Sequence, residues 1–268
     1  MNQEERKLYL IGRLLDEMPQ YRDITVPEDS EGRWRLLRSL FNVRPAGIPD
    51  EDFLSVQNAF LRQMTAEKGI TEAAELTPAE GERIYLWQGD ITTLRADAVV
   101  NAANSALLGC WQPLHGCIDN IIHTMSGVQL RAACAEIMAA QGHEEPIGCA
   151  KITPGFNLPA SYVIHTVGPA PMGILRKTHY EQLASCYRSC MEAAEKQGCK
   201  SLAFCCISAG VFGFPQKEAA ETAVRTVREY LPGSTLRQII FNVFTDADLR
   251  IYRRILTGAA EVPRTEVL

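Results

Sequence analysis

The alternation of short apolar runs with helical patterns, which begins near residue 82, is the feature that most constrains the fold of this chain. Apolar, β-branched runs occupy five segments: Ile84–Trp87, Ala98–Val100, Tyr162–Val167, Leu202–Ile207 and Gln238–Phe244. Helical spacing marks the segments between them, near Cys117–Ala140, Thr178–Gln197, Gln216–Tyr230 and Ala247–Leu256. Strands that alternate with helices predict an α/β fold with a largely parallel sheet. In such sheets, ligands bind in the loops that follow the carboxyl ends of the strands.

The first 80 residues have a different pattern, in which apolar residues recur at helical spacing and prolines separate the repeats. Three candidate helices carry these apolar positions: Leu8, Ile11, Leu14 and Leu15; Trp34, Leu37, Leu40 and Phe41; Phe53, Val56, Phe60 and Met64. We therefore expect two units, a helical extension at residues 1–80 and an α/β domain at residues 81–268. We interpret Arg33, Arg35 and Arg38 as a solvent-exposed helix face and not as a binding patch.

Charge and composition exclude several classes of protein. The 268 residues are 46% hydrophobic and 22% charged, as in ordinary globular proteins, and the net charge is −5. Residues 81–268 hold 17 basic and 17 acidic residues, so a field that gathers nucleic acid through its phosphates is not expected. The longest nearly apolar stretch, at 202–214, is shorter than the roughly 20 residues of a membrane-spanning helix. The amino-terminal residues do not resemble a signal peptide, so we expect a cytoplasmic protein with free or metal-bound thiols.

Three loops that follow predicted strands have compositions that suit a ligand. In the first, Gly89–Thr92, Asp90 could accept a hydrogen bond from an exocyclic amine, or could simply cap a turn. In the second, the amides of Asn101 and Asn104 could bind sugar hydroxyls, or could again serve a turn. The third, Ser208–Pro215, either forms a tight turn or presents its backbone amides to an anion at a helix N-terminus.

The second loop continues into Cys110, His115 and Cys117, so that two thiols and an imidazole fall within eight residues. Two cysteines and one histidine form a three-ligand zinc set with an open fourth position, which is the pattern of catalytic zinc. Spacing alone leaves other interpretations open. The residues could be unrelated, or the two cysteines could form a redox-sensitive pair. A closed structural zinc site, with Cys134 or His143 as a distant fourth ligand, is a further alternative.

Five segments of the chain, taken in order, resemble the macrodomain, an ADP-ribose-binding fold. They are GDIT, VVNAANSALLG, CIDNIIH, ITPGFNLPASYVIHTVGP and ISAGVFGFP, and the resemblance covers about residues 84–256. The Cys110–Cys117 loop, which stands in place of a glycine-rich stretch, and the helical extension are similar to those of zinc-dependent macrodomains. Those proteins are microbial hydrolases that remove ADP-ribose from acidic side chains. The resemblance implies a three-layer α/β/α fold with a mixed, largely parallel sheet.

The resemblance also implies roles for the site residues. Asp90 would hold the adenine amine beside the Ile91 backbone, and Asn104 would bind the distal ribose. The diphosphate would be wrapped by one loop, made of Ser208, Ala209, Gly210, Val211, Phe212 and Gly213. Zinc would be held by Cys110, His115 and Cys117. Asn104 and Asp119 would act in catalysis, whereas His123 and His165 are interpreted as structural.

The function that the resemblance implies is hydrolysis of the bond between the distal ribose and an Asp or Glu side chain. Zinc would be the cofactor, a mono-ADP-ribosylated protein the substrate, and free ADP-ribose the product. The family's association with lipoyl-carrier substrates extends that expectation to a lipoyl-carrier protein. Two other functions stay open for the same pocket, a non-catalytic ADP-ribose reader and a deacetylase of O-acetyl-ADP-ribose. We expect no nucleic-acid or membrane partner, and we expect a monomer.

Overall fold

The structure is a computed structural model that describes residues 1–258. Its helices are α1 (Gln3–Glu17), α2 (Ser30–Val43), α3 (Glu51–Lys68), α4 (Ile118–Ser126), α5 (Val128–Gln141), α6 (Lys177–Lys196), α7 (Gln216–Tyr230) and α8 (Asp246–Thr257). Its strands are β1 (Thr71–Glu72), β2 (Pro78–Glu80), β3 (Ile84–Gln88), β4 (Leu94–Arg95), β5 (Ala98–Ala103), β6 (Ala150–Pro154), β7 (Tyr162–Val167), β8 (Ser201–Phe204) and β9 (Gln238–Val243). Within this range, no helix combines the length and the apolarity needed to cross a membrane.

Within residues 1–258, seven strands form one mixed sheet in the order β2-β3-β9-β8-β5-β7-β6. The strands from β3 to β7 in that order are parallel, and the edge strands β2 and β6 are antiparallel to their neighbours. The predicted mixed, largely parallel sheet is confirmed. The two edge strands were not predicted, because most of their residues are half-buried or exposed and therefore form no continuous apolar run.

The chain crosses the sheet in both directions, and this places helices on both of its faces. It passes from β5 through α4, α5 and the antiparallel edge strand β6 to β7, and it returns from β7 through α6 to β8 and through α7 to β9. Crossovers between parallel strands are right-handed, so crossovers that run in opposite directions lie on opposite faces. The three-layer α/β/α arrangement follows from this topology.

A glycine divides the predicted helix near Cys117–Ala140 into α4 and α5. Gly127 has a φ of 94°, a backbone conformation that favours glycine. A Cβ at this position would also lie 2.7 Å from the side-chain nitrogen of Gln57. The predicted strand Leu202–Ile207 is also shorter in the structure. Strand β8 ends at Phe204, and the residues after it lead into the loop Ser208–Pro215.

The extension forms a helical unit with an apolar core of its own. Asn2, Asp29 and Asp50 accept hydrogen bonds from backbone amides in the first turns of α1, α2 and α3, which explains why each helix begins where it does. The core contains Leu10, Ile11, Leu14, Leu37, Leu40, Phe53, Phe60 and Leu61. Leu8 does not belong to it, because its side chain is 42% exposed. The large sheet begins at β2, which precedes the domain boundary expected at residue 81.

Candidate active site

A cleft of about 890 Å³ lies at the carboxyl ends of the parallel strands. Loops after β3, β5, β8 and β9 line it, because parallel strands present their carboxyl ends at one edge of a sheet. The predicted site residues line this cleft with two exceptions, Asn101, whose side chain is fully buried, and Gly213. Gly213 has a φ of 69°, and its amide donates a hydrogen bond to the carbonyl of Gly210. This bond stabilises the turn of the loop. The extension also contributes a wall, made of Trp34, Arg38 and Lys68.

Asp90, at one end of the cleft, is fixed by a local turn and by the extension. Its Oδ1 accepts hydrogen bonds from the Thr92 amide at 3.0 Å and the Thr92 hydroxyl at 2.6 Å. Its Oδ2 accepts a hydrogen bond from Lys68 Nζ at 3.0 Å. Burial alone would raise the pKa of Asp90, but the bonds from Thr92 and the charge of Lys68 bring that pKa below its ordinary value. The carboxylate is therefore ionised at neutral pH and can accept a hydrogen bond from a ligand amine.

Phe244 is a cleft residue that the sequence analysis missed. It follows β9 directly, lines the cleft and is 76% exposed. The Asn242 amide donates to the carbonyl of Gly89 at 2.9 Å, so the ends of β9 and β3 are neighbours. An exposed aromatic ring beside the Asp90 loop can stack on a planar ligand such as a nucleobase. In the sequence, this phenylalanine has no feature that distinguishes it from a strand residue.

The loop from Ser208 to Pro215 presents free backbone amides to the cleft. Ser208 has a φ of 64°, and its carbonyl accepts a hydrogen bond from the amide of Phe214 at 3.0 Å, which holds the loop in a tight turn. Within residues 1–258, the amides of Gly210, Val211 and Phe212 donate no backbone hydrogen bond. Consecutive free amides just before a helix form an anion site without a lysine.

Asn104 and Asp119 meet in the middle of the cleft. Asn104 Nδ2 donates to the carbonyl of Gly109 at 3.1 Å and to Asp119 Oδ2 at 3.3 Å, and its Oδ1 accepts from the Ala106 amide. The Asn101 amide donates to Asp119 Oδ1 at 2.8 Å. Asp119 is only 4% exposed, and burial raises its pKa to about 6. Since both Nδ2 hydrogens are used, Asn104 can offer a sugar hydroxyl the second lone pair of Oδ1.

Two buried histidines, both interpreted as structural from the sequence, lie behind Asp119. His123 Nε2 lies 3.5 Å from Asp119 Oδ1, and His165 Nδ1 faces the Asn101 amide at 3.1 Å. Because that amide donates, His165 Nε2 carries the proton that is given to Thr153 Oγ1 at 3.0 Å. Burial lowers the pKa of His123 far below its ordinary value and that of His165 to about 4. Both rings are therefore neutral at physiological pH.

The three predicted metal ligands lie together at the other end of the cleft. The ligand atoms of Cys110, His115 and Cys117 are all within 4.8 Å of one another, and both thiols are free. Cys110 Sγ lies 3.5 Å from His115 Nδ1. A tetrahedral zinc ion, with bonds of about 2.3 Å to sulfur and about 2.0 Å to nitrogen, separates such atoms by about 3.5 Å. The donor set therefore fits zinc.

A fourth protein ligand is absent from this group in the described part of the chain. Cys134 lies instead with the buried histidines, 3.7 Å from His165 Nε2, and His143 is an exposed residue that contacts Glu144. Burial and the neighbouring Cys110 raise the pKa of the Cys117 thiol to about 11. A cation that binds here must therefore displace a proton, as metal sites with thiolate ligands do.

Asn120 and the extension hold the Cys110–Cys117 loop in place. The side chain of Asn120 donates to the carbonyl of Gln112 at 3.0 Å, and its backbone amide donates to Cys117 Sγ at 3.4 Å. Arg38 Nη2 donates to the carbonyl of His115 at 2.7 Å and to Asn120 Oδ1 at 2.8 Å. The interpretation of Arg38 as part of a solvent-exposed helix face is therefore wrong. Helical periodicity placed it on a polar face, but that face is covered by a loop that is distant in sequence.

Arg131, on α5, fastens this loop to the end of α2. Its guanidinium donates to the backbone carbonyls of Leu108, Phe41, Asn42 and Arg44. It also lies over the ring of Trp111, 4.1 Å from the ring centroid. Asn42 Oδ1 in turn accepts a hydrogen bond from the Leu114 amide at 3.1 Å. The extension, the metal-ligand loop and α5 thus form one hydrogen-bonded unit.

Comparisons with known proteins agree with this architecture. Residues 100–223 match the Macro domain family. A protein-ADP-ribose hydrolase of Treponema medium is 50% identical over 261 residues, which cover 96% of this chain and 100% of that protein. A protein-ADP-ribose hydrolase of Staphylococcus aureus is 50% identical over 256 residues, which cover 94% of this chain and 96% of that protein.

Solved structures show the same fold. The Trypanosoma brucei macrodomain in complex with ADP-ribose is 29% identical with a TM-score of 0.63, and the match covers 81% of this chain and 94% of that one. The Oceanobacillus iheyensis macrodomain with ADP is 35% identical with a TM-score of 0.60, and the match covers 66% of this chain and 92% of that one. The macrodomain fold expected from the sequence is confirmed, and relatives that match over their whole length support a hydrolase. The chain belongs to the protein-ADP-ribose hydrolase family of macrodomain proteins.

Proposed function

We propose that this protein is a zinc-dependent hydrolase that removes mono-ADP-ribose from the Asp and Glu side chains of modified proteins. The observation that carries the proposal is the position of the Cys110, His115 and Cys117 set. It lines the same cleft as Asn104 and Asp119, at the end away from Asp90. A protein that only binds ADP-ribose needs no such donor set beside the distal ribose.

The residues of the cleft support one direction of binding for ADP-ribose. The adenine would stack on Phe244 and donate its amine to Asp90, which is ionised and held in place. The diphosphate would accept hydrogen bonds from the free amides of Gly210, Val211 and Phe212. The distal ribose would then reach Asn104, and its anomeric carbon would face the Cys110–Cys117 loop. The T. brucei macrodomain in complex with ADP-ribose and the O. iheyensis macrodomain with ADP support this choice of ligand.

The protein's own residues would orient the reactants. Cys110, His115 and Cys117 would hold zinc, which in a three-ligand site polarises a substrate oxygen or lowers the pKa of a water molecule to about 7. Asn104 Oδ1 would accept a hydrogen bond from a hydroxyl of the distal ribose and fix the sugar. Asp119 accepts hydrogen bonds from both Asn101 and Asn104, and it would thereby keep the Asn104 side-chain amide in its orientation. Orientation of this kind contributes strongly to rate, because the reacting atoms meet in line.

The test compares release and binding in the full-length protein. The substrate is a protein that carries ADP-ribose on an aspartate or glutamate, and released ADP-ribose is measured by mass spectrometry. The variant is His115→Ala, and the matched control is His143→Ala, which removes an exposed imidazole outside the cleft. We expect release by the wild type and by the control, loss of release in His115→Ala, and binding of free ADP-ribose by all three.

Other outcomes would indicate a different function or would refute the role of zinc. Binding by all three proteins without release would make the protein an ADP-ribose reader. Hydrolysis of O-acetyl-ADP-ribose without release from the modified protein would make it a deacetylase. Release by His115→Ala at the wild-type rate would refute the role of zinc. A mono-ADP-ribosylated lipoyl-carrier protein is the first native substrate to test, and on the family resemblance we propose a monomeric, cytoplasmic enzyme.

A further inference from the structure

Arg38 brings a positive charge from the extension to the metal-ligand end of the cleft. It lines the cleft, and its Nη2 donates to the carbonyl of His115 at 2.7 Å and to Asn120 Oδ1 at 2.8 Å. Both acceptors belong to the segment that also holds the metal ligands. These two bonds therefore fix the guanidinium beside the place where the bond to the distal ribose would break.

The guanidinium has donors that the protein does not use. Within residues 1–258, Arg38 Nε is buried without a hydrogen-bond partner, and Nη1 makes no hydrogen bond. Among the same residues no carboxylate pairs with Arg38, whereas Arg44 and Arg95 each meet a glutamate. Buried donors and charges without partners are costly to keep. An arginine held in this state at the wall of a cleft indicates an anionic ligand.

The proposed reaction produces such an anion at this end of the cleft. Water attacks C1″ of the distal ribose, and the bond between C1″ and the ester oxygen of the Asp or Glu side chain breaks. The electron pair of that bond stays on the departing oxygen, so a neutral ester becomes a carboxylate. The oxygen of the water becomes the C1″ hydroxyl of ADP-ribose, and one of its protons passes to the solvent. Negative charge grows on that oxygen in the transition state. Fixed positive donors aimed at a growing charge accelerate a reaction because they need no reorganisation.

We propose that Arg38 binds the departing carboxylate of the modified side chain and thereby makes the site specific for ADP-ribose on Asp and Glu. The planar guanidinium matches a carboxylate geometrically. The same charge opposes ADP-ribose attached to an arginine side chain, because the modified guanidinium is itself a cation in the bound substrate. The proposal deepens the function proposed above and depends on it.

The test measures how the rate depends on the leaving group. The probes are ADP-ribose esterified at C1″ with acetic, methoxyacetic and chloroacetic acid, which are acids of increasing strength. The full-length, zinc-loaded wild type is compared with Arg38→Met and with Arg35→Met, a control on the same helix that removes an exposed charge. The readout is the slope of log rate against the pKa of the acid. A slope compares rates of one preparation, so it does not depend on the fraction of enzyme that is folded or loaded with metal.

We expect Arg38→Met to hydrolyse the acetate ester about 10- to 100-fold more slowly than the wild type. The loss should be smaller for the chloroacetate ester, whose leaving group needs less help, so the slope becomes steeper. Arg35→Met should keep the wild-type slope. An equal loss for the three esters, or no loss, would overturn the proposal and leave Arg38 as a residue that only supports the loop. Hydrolysis of none of the esters by a wild type that also releases no ADP-ribose from an Asp- or Glu-modified protein would instead refute the proposed function.

Discussion

Replacement of Arg131 by methionine should lower the melting temperature strongly, because this one side chain joins the extension to the metal-ligand loop. Arg131 is 5% exposed and donates to carbonyls of Leu108, Phe41 and Asn42 at 2.7, 3.2 and 2.9 Å. Burial lowers its pKa to about 10, although Asp119 opposes this shift, so the group is charged at pH 7. Methionine fills a similar volume but leaves the carbonyls without a donor. A buried acceptor left without its donor costs about 1–3 kcal/mol, so the loss of several such bonds should cost about 3–5 kcal/mol.

That cost corresponds to a fall of about 6–20 °C in melting temperature for a protein of this size. The assay is calorimetric melting of the wild type, Arg131→Met and Arg225→Met, an exposed arginine on α7 that serves as the matched control. The control should change stability by less than about 0.5 kcal/mol. An Arg131→Met protein that melts within about 2 °C of the wild type would refute the claim that Arg131 holds these segments together.

Three further predictions concern the loop, the ligand and the response to acid. Asn120→Leu should lower zinc affinity about 10- to 100-fold in a chelator competition, because Asn120 orients the ligand loop; unchanged affinity would contradict that role. Phe244→Ala should weaken ADP-ribose binding about 10-fold in calorimetry, yet leave the melting temperature unchanged because the ring is 76% exposed. Burial alone would raise the pKa of Glu195, but hydrogen bonds from Ser234 and Tyr230 hold it at about 2. The ionised carboxylate therefore stabilises the fold above its ordinary pKa, and this contribution is lost as the pH falls towards 2. Glu195→Gln should lower the free energy of unfolding by about 1–2 kcal/mol at pH 7, after allowance for solvent screening. Urea unfolding should show that the difference in this free energy between wild type and variant shrinks between pH 4.5 and pH 3. A difference that stays constant over this range would refute the assignment.

The sequence predicts the inner strands and the cleft loops well, for identifiable physical reasons. Strands buried on both faces must be apolar and β-branched, as Tyr162–Val167 and Gln238–Val243 are. Turns that expose amides need residues such as those of Ser208–Pro215. The edge strand Ala150–Pro154 is not predicted in this way, because its residues are partly exposed and form no apolar run.

Other parts of the site depend on contacts between residues that are distant in sequence. Arg38 meets His115 across 77 positions, and Arg131 meets the carbonyl of Asn42 across 89. A helical pattern shows only which face of α2 is polar, and it does not show which loop covers that face. Phe244 was missed for a related reason. The sequence does not show that β9 ends at Val243, so that the next ring lies outside the core.

The zinc dependence of hydrolysis is tested most directly by removal and return of the metal in the full-length wild-type protein. A chelator strips the protein, zinc is then restored in stoichiometric amounts, and release of ADP-ribose from an Asp- or Glu-modified protein is measured at each step beside binding of free ADP-ribose. We predict that release disappears with the metal and returns with one zinc per chain, while binding through Asp90, Phe244 and the amides of Gly210, Val211 and Phe212 persists throughout. Release that continues at the full rate in protein shown to be free of metal would contradict the proposed role of zinc.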